Sequence, residues 1–308
     1  MENPHKEKPL SCSAFSSLVN EQLFATAPKT DVWILIEHPS PPGQKALEES
    51  SIPEDVKAYL LNCQKIIPAS RVLLIRQNKP LLNNELMVFI GITTIEPPRL
   101  YAYHLTNYLD LVELDIPLLA SGTKQDDKHL YKEPLFLICT NSKRDPCCAQ
   151  WGSAVFNAVT KFAGDQVWQT SHVGGHRFAA NLICLPHGIY CGRVRPDSAI
   201  DLIKSYQRRT IDMEFYRGRA NYPPEVQAAE YFLGQQSVPY NIDSFLLTEN
   251  LRVAENQWII TFRSKVDRNH YEIIVSAKTS DFLNYESCST PDKRSSRLQY
   301  NLEGWSLK

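Results

Sequence analysis

The chain has 308 residues, 43% of them hydrophobic and 22% charged, which suits about two domains with real cores and excludes wholesale disorder. Its 33 basic and 34 acidic side chains leave a net charge of −1, which argues against generic nucleic-acid binding, and no apolar run approaches the roughly 20 residues of a membrane span. Residues 1–10 carry charges of both signs without an apolar core, so they read as no signal peptide, and the expected location is cytoplasmic.

Residues 32–36 form a compact apolar, β-rich run, the pattern of a buried strand. A Pro-rich turn to Gly43 follows, and then a helix over 53–62 opened by a proline and two acids. Strands are predicted over 71–76, 86–93 and 100–104, with a turn at Pro97 and Pro98, and a helix over 107–119. The second half repeats the order. It has a strand over 134–139, then a helix over 149–162 with Trp151, Val155, Ala158, Val159 and Phe162 at helical spacing and a stop at Gly164. A short strand over 167–170 precedes a hairpin of 181–185 and 189–194 around Pro186, His187 and Gly188. Asp197 is the expected N-cap of a helix running to about residue 209.

Each half therefore has the element order of a thioredoxin-like fold, helices layered on a mixed α/β sheet, and that order points to a degenerate internal duplication. Beyond Ile211 come a helix over 222–233, β-like runs over 242–247, 257–263 and 271–277, and a polar stretch over 287–296 that reads as mobile. The expected division is a first domain over 1–128, a second over 129–215, and a small α+β extension over 216–308.

Eight cysteines in a reducing compartment do not make a disulfide framework. Cys12, Cys63 and Cys288 are scattered, whereas Cys139, Cys147, Cys148, Cys184 and Cys191 gather in mid-chain with His172, His176 and His187. Cys139 ends a predicted strand, and Cys147 and Cys148 open the next helix, where the helix dipole favours thiolates. His172 and His176 flank a Val-Gly-Gly turn able to aim both imidazoles at one ion, and two glycines argue against a helical zincin motif.

Four readings fit these residues. The first is buried thiols with hydrogen-bonded core histidines. The second is a dithiol, for which the chain offers only the vicinal Cys147 and Cys148 and no Cys-x-x-Cys. The third is a zinc site of two cysteines and two histidines, with Cys139 and Cys148 farther apart than the usual spacing of about two to four residues. The fourth is a 2Fe–2S cluster on two thiolates and two imidazoles. Spacing does not separate the last two. Cys184 and Cys191 read as buried hairpin residues, His187 as a surface residue of its turn, and Trp168 as core packing.

Cys139-x5-Asp145-x2-Cys148, with Arg144 before the aspartate, is followed by Trp168-Gln-Thr-Ser-His-Val-Gly-Gly-His-Arg-Phe-Ala-Ala-Asn181 and Leu185-Pro-His-Gly-Ile-Tyr-Cys-Gly-Arg193. Together they closely resemble the sucrase/ferredoxin-like family. Cys12-Ser-Ala-Phe-Ser, Thr26-Ala27, the run from Trp33 to Pro39 and Gln227-Ala-Ala-Glu230 are similar as well, so the likeness spans residues 10–231.

The resemblance implies a thioredoxin-like 2Fe–2S ferredoxin domain in which Cys139 and Cys148 take the thiolate places and His172 and His176 the imidazole places. Cys147 stands where relatives often carry arginine and Asn141 where many carry histidine, so register favours Cys148, with Cys147 as the alternative. Neutral imidazoles in place of two thiolates make such a cluster less negative, easier to reduce, and coupled to protonation. Arg144, Asp145, Cys147, Arg177 and Asn181 stand beside the ligands and are the expected tuning residues, with ordinary exposed cations as the plain reading of Arg144 and Arg177.

The first half is the expected cluster-free partner domain, with Glu37 and His38 where the second half has Cys139 and Thr140. The implied function is one-electron transfer between donor and acceptor proteins, without nucleic acid or membrane. The alternatives are a zinc-stabilised binding module and a thiol-dependent reductase using Cys147 and Cys148. No sucrase activity is expected, since no carboxylate pair marks a sugar site.

Overall fold

The computed structural model describes residues 10–79, 85–123, 125–236 and 240–308. Residues 1–9, most of the stretch read as no signal peptide, lie outside the described residues.

Helix α1 (Cys12–Leu18) is N-capped by Ser11, whose hydroxyl accepts the Ala14 N–H. The first half then builds β1 (Val32–Glu37), α2 (Glu54–Ile66), β2 (Ser70–Arg76), β3 (Leu86–Ile92) and β4 (Arg99–Leu105). β1 pairs parallel with β2 and antiparallel with β3, and β4 closes antiparallel on β3. The helix expected over 107–119 is split into a 3-10 turn (Tyr108–Glu113) and α3 (Ile116–Ala120). Asp115 recaps the chain there and Pro117, which has no N–H, fits only a first turn.

The second half builds β5 (Leu135–Cys139), α4 (Pro146–Ala163), β6 (Val167–Thr170), β7 (Leu182–Leu185) and β8 (Ile189–Cys191). Its pairings repeat the first half: β5 lies parallel to β6 and antiparallel to β7, which carries β8. The halves join antiparallel through β2 and β6, with Ile75 opposite Thr170 and Arg76 opposite Gln169. Strand order outward from that seam is therefore the same on both sides.

β1 is apolar without alternation because both faces are covered. Trp33 and Leu35 join a core shared with Leu137, Ile183 and Tyr190 of the second half, while Ile34 and Ile36 pack under α2 with Val56 and Leu60. The mixed α/β sheet is continuous across the two halves.

After α5 (Pro196–Gln207) and β9 (Thr210–Ile211), β10 (Tyr216–Arg219) pairs with β8 and completes nine strands. The expected boundary at 215/216 thus falls immediately before a strand of the main sheet. The N-cap of α5 is Arg195, not Asp197, because Pro196 takes the first helical position. Helix α6 (Pro224–Gln236) follows, anchored by Gln227, whose amide bonds both backbone groups of Ala27.

The chain continues with β11 (Tyr240–Asn241), β12 (Phe245–Ala254), β13 (Gln257–Ser264), β14 (His270–Thr279), β15 (Asn284–Tyr285), β16 (Arg294–Ser295) and β17 (Leu298–Leu307). β12, β13, β14 and β17 form an antiparallel sheet. The fourth of these strands is not among the predicted runs; Leu298, Tyr300 and Leu302 alternate with polar residues, but Gly304 interrupts that alternation and only Tyr300 is buried.

Candidate metal centre

Helix α4 is held at its start by Asp145, whose carboxylate accepts the Cys147 N–H at 2.9 Å, with Pro146 in the first helical position. Its buried face is Cys148, Gly152, Val155, Phe156 and Val159, whereas Trp151 and Phe162, expected on that face, are 40% and 45% exposed. Gly152 explains how the helix rests so closely on the end of β5: a Cβ there would collide with the Cys139 carbonyl oxygen. That contact sets Cys139 and Cys148 side by side, both fully buried.

His172 completes the group. Its Nδ1 lies 4.0 Å from Cys139 Sγ and 3.7 Å from Cys148 Sγ, and the three donor atoms lie within 4.8 Å of one another, a set that could hold a metal ion. A hydrogen bond from the Cys148 thiol holds Cys139 well below the ordinary thiol range against burial, with help from His172. The same bond pushes Cys148 up. The first half reaches in to position this loop. Arg71 of β2 donates to the His172 carbonyl at 2.8 Å, and the Leu74 N–H donates to Ser171 Oγ at 3.1 Å.

The ring of His176 lies 5.5 Å from that of His172, centroid to centroid. Its Nδ1 lies 3.1 Å from Asp145 Oδ2 and 3.2 Å from Cys12 Sγ, and His176 is not part of the Cys139, Cys148 and His172 group. Burial lowers His176 to about 4, with Asp145 opposing. Burial would raise Asp145, but His176, the N–H groups of Cys147 and Cys288 and the Ser287 hydroxyl outweigh it and lower it.

Of the other expected tuning residues, Asn181 is buried and donates to the Gly175 carbonyl at 3.0 Å. Arg177 pairs with Glu21 at 2.7 Å and stacks on Phe178. Arg144 is exposed, and its backbone N–H bonds Asn141 Oδ1.

Arg217 of β10 had no signal in the sequence. It is buried, and its guanidinium donates to Thr26 O and Oγ1, the Gly174 carbonyl and Asn181 Oδ1, bracing the turn between the two histidines. Gly175 makes room for it. The residue sits at φ 71°, and a side chain there would run into the guanidinium.

Cys147 does not join Cys148. Successive helix residues point about 100° apart, and Cys147 Sγ instead lies 3.5 Å from Cys12 Sγ and 3.4 Å from Cys288 Sγ. The Ser13 hydroxyl donates to it at 3.2 Å. Cys147 is lowered to about 6, first by the Cys12 thiol, while Cys12 is raised by the same bond.

Cys12 and Cys288, scattered in the sequence, therefore meet Cys147 and Asp145 in a second group that could hold a metal ion. Residues 287–296, read as mobile, bring Cys288 and Ser287 onto Asp145. Cys184 and Cys191 are buried as expected, and Trp168 packs edge-on against Phe89 in the core. His187 is not a surface residue: its turn is tucked beneath α5, where Nδ1 meets the Tyr206 hydroxyl.

A family model described as sucrase/ferredoxin-like matches residues 23–218. The chain belongs to the sucrase/ferredoxin-like family. Comparison with curated proteins and with solved structures returned no match. The family span runs from before β1 into β10 and contains Cys139, Asp145, Cys147, Cys148, His172 and His176. Cys12 and Cys288 of this family member lie outside it. Among the described residues no helix is long and apolar enough to cross a membrane.

Proposed function

We propose that this sucrase/ferredoxin-like protein is an electron carrier whose 2Fe–2S cluster is held by Cys139 and Cys148 on one iron and by His172 and His176 on the other. The observation that carries this reading is the convergence of two fully buried thiols, one from a strand end and one from a helix start, on the imidazole of His172. The donor chemistry fits, since thiolates and imidazoles together are the ligand set of a mixed-ligand cluster. Once bound, the cluster supplies reversible one-electron transfer.

The chain's own residues do the rest. The Cys148 thiol beside Cys139 favours the thiolate form of Cys139. Asp145 engages His176 Nδ1, which fixes the ring and leaves Nε2 as the nitrogen free for iron. Arg71, Arg217 and Asn181 hold the loop that carries both histidines. Neutral imidazoles in place of two thiolates favour a potential of roughly −150 to +300 mV, against about −400 mV for plant-type ferredoxins, with reduction coupled to protonation.

The repeated strand order supports reading both halves as thioredoxin-like, the first without a cluster because Glu37 ends β1 where Cys139 ends β5. The separation of Cys147 from Cys148 favours electron transfer over a vicinal-dithiol reductase. The partners of this reading are redox donor and acceptor proteins, and its location is cytoplasmic.

Purification under anaerobic conditions tests it. The expected product is brown, with sulfur-to-iron charge-transfer absorption and about two irons and two sulfides per chain. Cys148→Ser should abolish the cluster and Cys147→Ser should keep it. A colourless protein holding zinc on Cys139 and Cys148 refutes the proposal.

A further inference from the structure

Three thiols from remote parts of the chain meet next to the centre just described. Cys12 opens α1, Cys147 sits in the first turn of α4, and Cys288 lies in the loop between β15 and β16. With a carboxylate oxygen of Asp145, their donor atoms all lie within 4.8 Å of one another. We propose that Cys12, Cys147, Cys288 and Asp145 form a second, structural metal site for Zn2+, separate from the Cys139, Cys148 and His172 group.

The geometry lies within a few tenths of an ångström of a tetrahedron, with the sulfurs slightly too close together and the Cys12 sulfur slightly too far from the carboxylate. With Zn–S near 2.3 Å and Zn–O near 2.0 Å, a tetrahedral site has sulfur–sulfur edges of about 3.8 Å and sulfur–oxygen edges of about 3.5 Å. The measured sulfur pairs are 3.5 and 3.4 Å, and Cys12 Sγ is 3.8 and 3.9 Å from the two Asp145 oxygens. A disulfide would place two of the sulfurs about 2.05 Å apart, whereas all eight cysteines are free.

The surroundings are arranged for thiolates. The Ser13 hydroxyl donates to Cys147 Sγ and the Cys12 N–H donates to Cys288 Sγ, each at 3.2 Å. Such donors to ligand sulfur are what orient and stabilise a metal thiolate from outside. Asp145 is oriented in turn by the N–H groups of Cys147 and Cys288 and by the Ser287 hydroxyl. Three thiolates and a carboxylate brought together in this space would repel one another, and a divalent cation offsets half of that charge. Soft sulfur donors in a tetrahedron select zinc over the hard cations.

The consequence is structural. Zinc there ties α1 and the tail loop to the start of α4, the helix that presents Cys148. It also fixes Asp145, which engages His176.

The full-length protein, purified anaerobically, should carry about one zinc per chain by elemental analysis, beyond any iron. Cobalt-exchanged wild type should show thiolate-to-cobalt charge transfer and the d–d bands of a tetrahedral site. Cys12→Ser and Cys288→Ser should lose the zinc, Cys139→Ser should lose iron and keep the zinc, and Cys288→His should retain the zinc through an alternative ligand. Wild type without zinc and without a thiolate–cobalt spectrum overturns the proposal. So does zinc that follows Cys139 rather than Cys12, or two of the three thiols found joined as a disulfide. Because the count of zinc is read apart from iron, failure of this site and failure of the iron–sulfur reading are distinguishable.

Discussion

Gly152→Ala is the sharpest probe of how the fold builds the Cys139 and Cys148 pair. The added methyl has no room, because it would overlap the Cys139 carbonyl oxygen, a backbone atom that cannot rotate aside. Relief requires α4 to lift off the end of β5 by about 1 Å, since close-packed interiors do not absorb such overlap locally. Overpacking of this kind costs about 1–3 kcal/mol, and the better helix propensity of alanine returns up to about 1 kcal/mol. The net loss is up to about 2 kcal/mol, a fall in Tm of up to a few degrees for a chain of this size.

The effect on the site should exceed the effect on stability. Gly152 lies one helical turn beyond Cys148, so the lift moves the two sulfurs apart and lowers iron per chain. Thermal unfolding of metal-free protein and iron content of freshly purified protein measure the two effects. Ser153→Ala, on the exposed side of the same helix, is the control and should change neither. Wild-type iron content and Tm in Gly152→Ala would refute the close contact as the origin of the pair.

Other perturbations follow from the same geometry. Arg217→Met keeps the side-chain bulk but strands the Thr26, Gly174 and Asn181 acceptors, each worth about 1–3 kcal/mol when left unsatisfied. Part of that is offset by no longer burying a cation. Denaturant midpoints should fall by the equivalent of about 2 kcal/mol, with reduced iron loading, and unchanged loading would show that the turn holds itself. Asp145→Ala removes the α4 cap and the acceptor of Ser287 and Cys288, a loss of about 1–3 kcal/mol. Limited proteolysis should then cut within residues 280–297, and an uncut tail would contradict this anchoring.

His187 is lowered to about 3, first by burial and then by Arg219 and Arg209. The unfolded chain therefore takes up the proton more readily. Stability is complete above about pH 6.5 and drains away as pH falls toward 3, at up to about 1.4 kcal/mol per pH unit. His187→Gln should flatten the slope between pH 6.5 and 4, read from denaturant midpoints. A slope equal to that of wild type would show that His187 titrates freely.

Patterns local in the chain carried far. The unbroken apolar runs of β1 and β5 announced strands covered on both faces, and the acids after Pro53 announced α2. The convergence of Cys139, Cys148 and His172 was legible because these donors lie at one strand end, one helix start and one glycine turn, all close in sequence. Other features had no local signature. Helical periodicity names an apolar stripe but not which part of it meets the sheet, and so Trp151 and Phe162 of α4 remained exposed. The β2–β6 seam, β10 beside β8, the burial of His187 and the brace of Arg217 depend on which edges and loops the closed chain brings together. The meeting of Cys12, Cys147 and Cys288 is the clearest case. Their separations of 135 and 141 residues leave nothing for spacing to detect, and only the packing of α1 and the tail loop against the start of α4 joins them.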